Sequence, residues 1–385
     1  MNAYLDNAST TFPKPECVPQ AMYEFMTTCG ANVGRGSYAG AFAIEGVVLE
    51  TRESLASLFG APDARDIAFT RNVTESLNLL IKGLLHEGDH VIVWSMEHNA
   101  VMRPLVQLES HGVSFTRCPC DETGMLDVDA LAGCLRPNTR AVVMLHASNV
   151  TGTVMPVAKV GEFCRAHGLT FILDSAQTAG VLPIDMGVMG VDAVAFTGHK
   201  GLLGPQGIGG VALTEELAHR VEPLVVGGTG SVSDKETIPR FMPDRLEAGT
   251  PNLPGIAGLH AALEWHAAQG SGAVLAHELG LTQRFLDGLE PLERAGHVRV
   301  CGRHDVEQRV GVVSLATRRD EAEVATLLDE LYHISVRVGL HCAPSAHKTI
   351  GTFPAGTIRF SFGCFNSEDD VDYALRALAE LLERR

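Results

Sequence analysis

The sequence predicts an α/β protein: a large domain built on a doubly wound, mainly parallel sheet, followed by a smaller C-terminal α+β domain. Two observations carry this reading. Short apolar, β-branched runs alternate with helical segments from residue 66 to about 215. The 385 residues include 40 glycines and are 45% hydrophobic, which suits a large core, two domains and many tight turns. The expected division is 15–252 for the large domain, and 1–14 with 253–385 for the small one.

The elements follow in order. Tyr4 to Thr11 is rich in turn formers, and Pro13-Lys14-Pro15 precedes a helix that runs to about Thr28. Arg35 lies in the loop Ala31–Tyr38, and a helix from Phe42 to Phe59 stops at Gly60. Asp66–Thr70 reads as a strand, Arg71–Ser76 as a polar turn, and Leu77–Leu85 as an apolar helix. Strands are expected at His90–Trp94, Val113–Cys118, Ala141–Ala147, Leu169–Asp174, Val191–Phe196 and Gly210–Leu213, with a helix beginning at Asp127. Gly227 to Asn252 shows no periodicity and reads as a long functional loop. Helices at Leu253–His266, Ala273–Leu289, Asp320–Leu331 and Ser367–Leu382, with strands near Val298–Cys301 and Gly311–Ala316, complete the smaller domain.

Composition excludes several classes. A net charge of −16 with no basic cluster argues against a nucleic-acid partner. No apolar run approaches a membrane span, and the first residues lack the basic and apolar regions of a signal peptide. Nine cysteines without framework spacing read as reduced thiols, so the expected location is cytoplasmic. Cys118-Pro119-Cys120 is too close-set and unpartnered for zinc, and no metal site is expected.

Two consecutive strands end in chemistry. Leu169–Asp174 runs into Asp174-Ser-Ala-Gln177, and Val191–Phe196 into Thr197-Gly-His199-Lys200. In an open parallel sheet both ends face one crevice, where ligands bind. A lysine partly desolvated there becomes a nucleophile for a carbonyl. Pyridoxal 5'-phosphate (PLP) needs such a lysine, together with a carboxylate that keeps its ring nitrogen protonated. Gln177 would reach the ring hydroxyl. Asp174 serves equally well as a helix N-cap, and Lys200 as a surface lysine, when each is taken alone.

Other candidates cluster around this pair. The turn before the helix at Leu77 offers free amides and the Thr74 hydroxyl to a phosphate, although Asn72 or Thr74 could be an ordinary cap. His98, past a strand end, could lie over an aromatic cofactor and move protons. Asn149 falls at the same sheet edge. Cys342, between His341 and Pro344, is either an exposed thiol or a small buried hydrophobe. Arg359 interrupts an apolar strand, and its guanidinium needs a carboxylate from the protein or from a substrate.

With these motifs in family order, the whole chain resembles the class V aminotransferase family of fold-type I PLP enzymes. Within it the resemblance is to cysteine desulfurases and selenocysteine lyases. It rests on Leu5-Asp-Asn-Ala-Ser-Thr10, Glu97-His98-Asn99, Ser148-Asn149-Val-Thr-Gly152, Asp174-Ser-Ala-Gln177, Gly198-His199-Lys200 and Arg337-x-Gly-x-His-Cys342-Ala-Pro344. The resemblance implies that Lys200 bonds the cofactor, Asp174 pairs with its ring nitrogen, and Gln177 and Asn149 serve the ring hydroxyl and substrate side. It assigns His98 to stacking and Thr74, Thr197 and His199 to the phosphate. Thr250 would reach the phosphate of a neighbouring subunit, which implies a homodimer. Arg359, with Arg35 nearby, would hold the substrate carboxylate. Cys342 matches the nucleophile of the SufS-like branch. The implied reaction takes L-cysteine to L-alanine and leaves a persulfide on Cys342 for a sulfur acceptor, with His98 as the assisting acid. The alternative is a selenocysteine lyase, or another PLP-dependent C–S lyase or aminotransferase, on the same scaffold. Val73, where many relatives carry threonine, and Tyr38, where SufS-like enzymes often carry histidine, depart from the pattern.

Overall fold

The computed structural model describes residues 2–34 and 38–383. Thirteen strands form three sheets among these residues. β1 (Ala3–Tyr4) leads the chain, and β2 (Ile67–Thr70), β3 (His90–Trp94), β4 (Ser114–Cys118), β5 (Thr139–Leu145), β6 (Thr170–Asp174), β7 (Ala193–Thr197) and β8 (Gly209–Leu213) follow. β2 to β8 make one seven-stranded sheet in the order β2-β8-β7-β6-β5-β3-β4. Only β8 runs against its neighbours, so the other six strands deliver their carboxyl ends to one edge.

Period-two alternation explains why the sheet is covered on both faces. Val142, Met144, Phe171, Leu173, Val194 and Phe196 enter one apolar core, where Phe59 also packs. Their neighbours Ala141, Val143, Ile172, Ala193 and Ala195 enter the other, beneath the helix Val73–Leu84. Each fully buried large aliphatic or aromatic side chain contributes about 1.5–3 kcal/mol, so these two cores stabilise the sheet from both faces. The two glycines that open β8 are sterically required. A Cβ on Gly209 would come within 2.9 Å of the Asn72 backbone, and one on Gly210 within 2.5 Å of the Phe196 ring. These two glycines let β8 pack closely on Asn72 and Phe196.

The C-terminal part adds β9 (Val298–Cys301), β10 (Val312–Thr317), β11 (Ile334–Ser335), β12 (Arg337–Gly339) and β13 (Thr357–Ser361). β12-β13-β10-β9 form an antiparallel sheet, and β1 pairs in parallel with β11. The helices Ala273–Arg294, Glu321–Tyr332 and Glu368–Glu383 supply its core through Phe285, Leu328 and Leu378. The helix Leu253–Gln269 packs instead on Cys17–Thr28 and Ala39–Phe59.

Most elements fall where the sequence predicts. The helix expected at Leu77 begins at Val73 because the Asn72 side chain accepts from the Glu75 amide and caps it. Residues 221–252 carry no helix or strand. β1, β11, β12 and the helix Pro344–Thr349 were not foreseen, being too short to show a period. No helix of the described residues is long and apolar enough to cross a membrane.

Candidate active site

The parallel register sets Leu145 of β5 opposite Asp174, and Asp174 opposite Ala195 of β7. Residues just past these ends therefore converge. His98, Asn149, Asp174, Gln177 and Lys200 line one cleft, with Val73 on its wall. Asp174 is buried, and its Oδ1 accepts from the Ala176 amide at 2.9 Å. Burial raises its carboxyl above the ordinary range, while that hydrogen bond and then Lys200 oppose the rise. Burial lowers the Lys200 amine to about 8; Asp174 works against that, and Arg359 and Arg337 add to it. An amine so tuned is still mostly protonated at pH 7, but its free fraction, roughly a tenth, is some hundreds of times that of an ordinary lysine, which favours its use as a carbonyl nucleophile or α-proton base.

His98 caps the helix Asn99–Glu109, its Nδ1 accepting from the Ala100 amide at 3.0 Å. Burial, then the charges of Lys200, Arg337 and Arg359, hold its imidazole down at about 3. The ring is neutral and carries its proton on Nε2. The proton that the ring can offer to the cleft is therefore the one on Nε2. Gln177 Nε2 donates to the Ala8 carbonyl at 3.1 Å, and Asn149 Nδ2 to the His341 carbonyl at 2.8 Å.

Beside Lys200, two buried polar atoms have no partner: Thr197 Oγ1 and His199 Nδ1. Burial leaves His199 neutral, at about 4. At the same sheet edge the helix Val73–Leu84 presents its N-terminus with the exposed Thr74 in the first turn. Orphaned hydroxyl and imidazole groups, a helix N-terminus, a buried carboxyl and a tuned amine form the donor set that an aromatic aldehyde bearing a phosphate requires. The residues fit PLP. Val73 is buried and contributes no hydroxyl there.

Arg359 resolves the choice left open by the sequence. Its guanidinium is buried and already has a carboxylate: one nitrogen meets Asp6 Oδ1 at 2.7 Å and Ser9 Oγ at 2.8 Å, the other the Asn149 carbonyl at 3.2 Å, and only Nε is unpartnered. Arg337 sits opposite it across the β12–β13 pair and donates to Ser9 Oγ at 2.8 Å. Arg337, less buried and without a carboxylate, is a cation that the residue-level reading did not single out. Lys14 is another: it donates to the His199 carbonyl at 2.7 Å, and burial lowers its amine to about 8.

Cys342 is exposed, and its carbonyl accepts from the Asn99 amide at 2.8 Å, which seats it beside His98. Thr250 does not join the cleft. It lines a separate surface hollow with Arg71, Glu75 and Gly207. Tyr38 is exposed at the start of the helix Ala39–Phe59. Arg35 lies outside the described residues.

A PLP-type lysine and aspartate on a mainly parallel sheet define a class, and comparison with known proteins gives the family. Residues 3–374 match the model of the class V aminotransferases, and the chain belongs to that family. It is 32% identical to a probable cysteine desulfurase of Methanothermobacter thermautotrophicus over 99% of this chain and 94% of that one. It is 33% identical to the cysteine desulfurase CsdA of Escherichia coli, again over 99% and 94%. Among solved structures, the apo cysteine desulfurase of Thermococcus onnurineus superposes with a TM-score of 0.92 at 32% identity, covering 99% of this chain and 95% of that one.

Proposed function

We propose that this chain is a PLP-dependent cysteine desulfurase that converts L-cysteine to L-alanine and collects the sulfur on Cys342. The observation that carries the reading is one cleft holding Asp174 and Lys200, with an exposed cysteine seated at its His98 corner. Lys200 Nζ would bond the cofactor aldehyde, Asp174 would face its ring nitrogen, and Gln177 and Asn149 the ring hydroxyl and substrate side. Thr74, Thr197 and His199 would hold the phosphate. When bound, PLP supplies an electron sink for the charge left at the substrate α-carbon.

The chain's own groups do the rest. Arg337 and the Nε of Arg359 would orient the substrate carboxylate, with Arg35 as an expected helper. Lys200 Nζ would take the α-proton. The Cys342 thiolate would attack the substrate sulfur: an S–S bond forms, the Cβ–S bond breaks with its electron pair left on the substrate, the β-carbon gains a proton, and the α-carbon regains one from Lys200 to give alanine. His98 covers the cleft and donates from Nε2. Thr250, far from its own cleft, supports a homodimer with shared sites. So do the exposed apolar side chains Tyr23, Met26 and Phe42. In this reading 15–252 carries the cofactor, 1–14 with 253–385 carries Cys342, and the enzyme is cytoplasmic and passes sulfur to an acceptor. The selenocysteine-lyase alternative finds no support among the relatives.

The test is alanine formation from L-cysteine by the parent and by Cys342→Ala. Alanine from the parent alone, with a persulfide on Cys342, is the expected outcome. Undiminished alanine from the variant would overturn the role of Cys342.

A further inference from the structure

We propose that His341 and His347 form a clamp that positions Cys342 for sulfur transfer, a role that rests on the desulfurase reading above. Two consecutive non-glycine residues in the turn adopt left-handed backbone: His341 at φ 48° and Cys342 at φ 58°. Non-glycine L-residues are uncommon in this region, because Cβ crowds the following carbonyl; histidine tolerates it better than most, cysteine does not. A run of two persists only where the surroundings over-determine it, and such runs gather at functional sites.

The surroundings here are specific. The His341 carbonyl accepts from Asn149 Nδ2 and the Cys342 carbonyl from the Asn99 amide, each at 2.8 Å. The Ala343 amide closes the turn on the Leu340 carbonyl at 2.8 Å. These bonds fix the backbone on the cleft side. The two imidazoles fix the other side. The His341 ring is buried, with Nε2 2.9 Å from Thr357 Oγ1 on β13, two residues before Arg359. The His347 ring, fully buried in the helix that follows Cys342, is held by Thr352 Oγ1 at 2.7 Å. The rings meet with centroids 5.5 Å apart at 43°. The residue before the thiol and the helix after it are thereby packed into one unit. Among the described residues, His341 Nδ1 and His347 Nε2 have no hydrogen-bond partner of good geometry. The clamp leaves Cys342 exposed while denying its backbone freedom.

The experiment uses the cofactor-loaded protein and reads two quantities. One is amide hydrogen exchange at Asn99 and Ala343, whose N–H groups make the two bonds that define the turn. The other is kcat and KM for alanine formation from L-cysteine. His341→Val combines a β-branched side chain with the left-handed position. Exchange at both amides should accelerate at least about tenfold. Because a misplacement of about 1 Å can cost about 10²-fold in rate, kcat should fall by that order while KM holds. His341→Asn, which tolerates left-handed backbone but lacks the ring that meets His347 and Thr357, should recover only part of the lost kcat; full recovery would show that backbone conformation alone, and not the pair of rings, holds the turn. Thr357→Val removes one hydrogen bond without touching the turn, and decides the matter if His341→Val does not fold. It should show the same changes at smaller size. Parent-like exchange in both Val variants overturns the clamp. Fast exchange with unchanged kcat overturns its catalytic meaning, and Cys342→Ala then shows whether the desulfurase reading has failed as well.

Discussion

The two halves of the site are built on opposite principles. Asp174 and Lys200 follow the ends of central strands, inside a sheet whose residues are buried on both faces. Cys342 stands on an exposed turn, between a three-residue strand and a six-residue helix. The groups that hold and deprotonate must act on atoms fixed in one place, and a packed sheet supplies that fixity without further devices. A thiol that takes sulfur inside and presents it outside needs access, and access removes the packing. The turn replaces packing with hydrogen bonds from Asn99 and Asn149 and with a pair of buried rings.

The sheet side is therefore where single substitutions should cost most. Lys200→Ala should abolish alanine formation, a loss of about 10⁴-fold or more, because one amine is both tether and base. Asp174→Asn keeps shape and removes charge, and should cost about 10²–10³-fold as a lost electrostatic stabiliser. Steady-state assays of both, set beside Cys342→Ala, test the comparison. If Asp174→Asn retains parental activity, the carboxyl is a structural cap and the contrast collapses.

Between the halves lies the ion pair of Asp6 and Arg359, whose side chains are 20% and 2% exposed. Asp6→Ala would leave the guanidinium buried with only Ser9 and a backbone carbonyl. Losing one partner of a buried pair typically costs about 3–5 kcal/mol, and the partial exposure of Asp6 places this case at about 3. Urea unfolding of Asp6→Ala against the parent measures it. A loss below about 1 kcal/mol would mark the pair as surface-like and remove the link between the first residues and the site.

That pair also shows where the sequence stops being legible. Asp174 and Lys200 could be read because each ends an apolar run of strand length, and a parallel sheet brings such ends together whatever the loops do. Asp6 and Arg359 are 353 positions apart, and only the tertiary fold makes them partners. The need of Arg359 for a carboxylate was legible; its source was not. Arg337 and Lys14 were missed as site cations for the same reason. The conformation of His341 and Cys342 is hidden differently, since cysteine does not favour left-handed backbone, histidine does so only weakly, and no glycine or asparagine marks the turn. The neutrality of His98 was also out of reach, because it comes from burial and from cations brought in by three distant segments.

Histidine burial gives the last and smallest effect, and it spans both halves. Burial lowers His98 to about 3 and His146 and His199 to about 4 on the sheet side, His341 to about 2 and His347 to about 4 around Cys342, and His90 to about 4 elsewhere. Each is neutral when folded and protonates near 6.5 when unfolded. Its contribution is complete above that pH and shrinks as pH falls through it, by up to about 1.4 kcal/mol per unit. Carboxyls act in the opposite sense: Glu278, pushed up to about 8, and Asp66, Glu97, Asp174 and Asp192, each raised by burial, favour the folded state as pH falls. The six histidines outnumber them and titrate inside this interval when unfolded, so stability should fall between pH 6.5 and 5.5. Thermal unfolding across that interval should show Tm falling with pH. His347→Gln removes one histidine from the turn, and His146→Gln one from the sheet. Each should flatten the slope by about one proton's worth. A Tm that rises on acidification would mean that the rings carry protons when folded, and the tight packing of His341 on His347 would then need a different account.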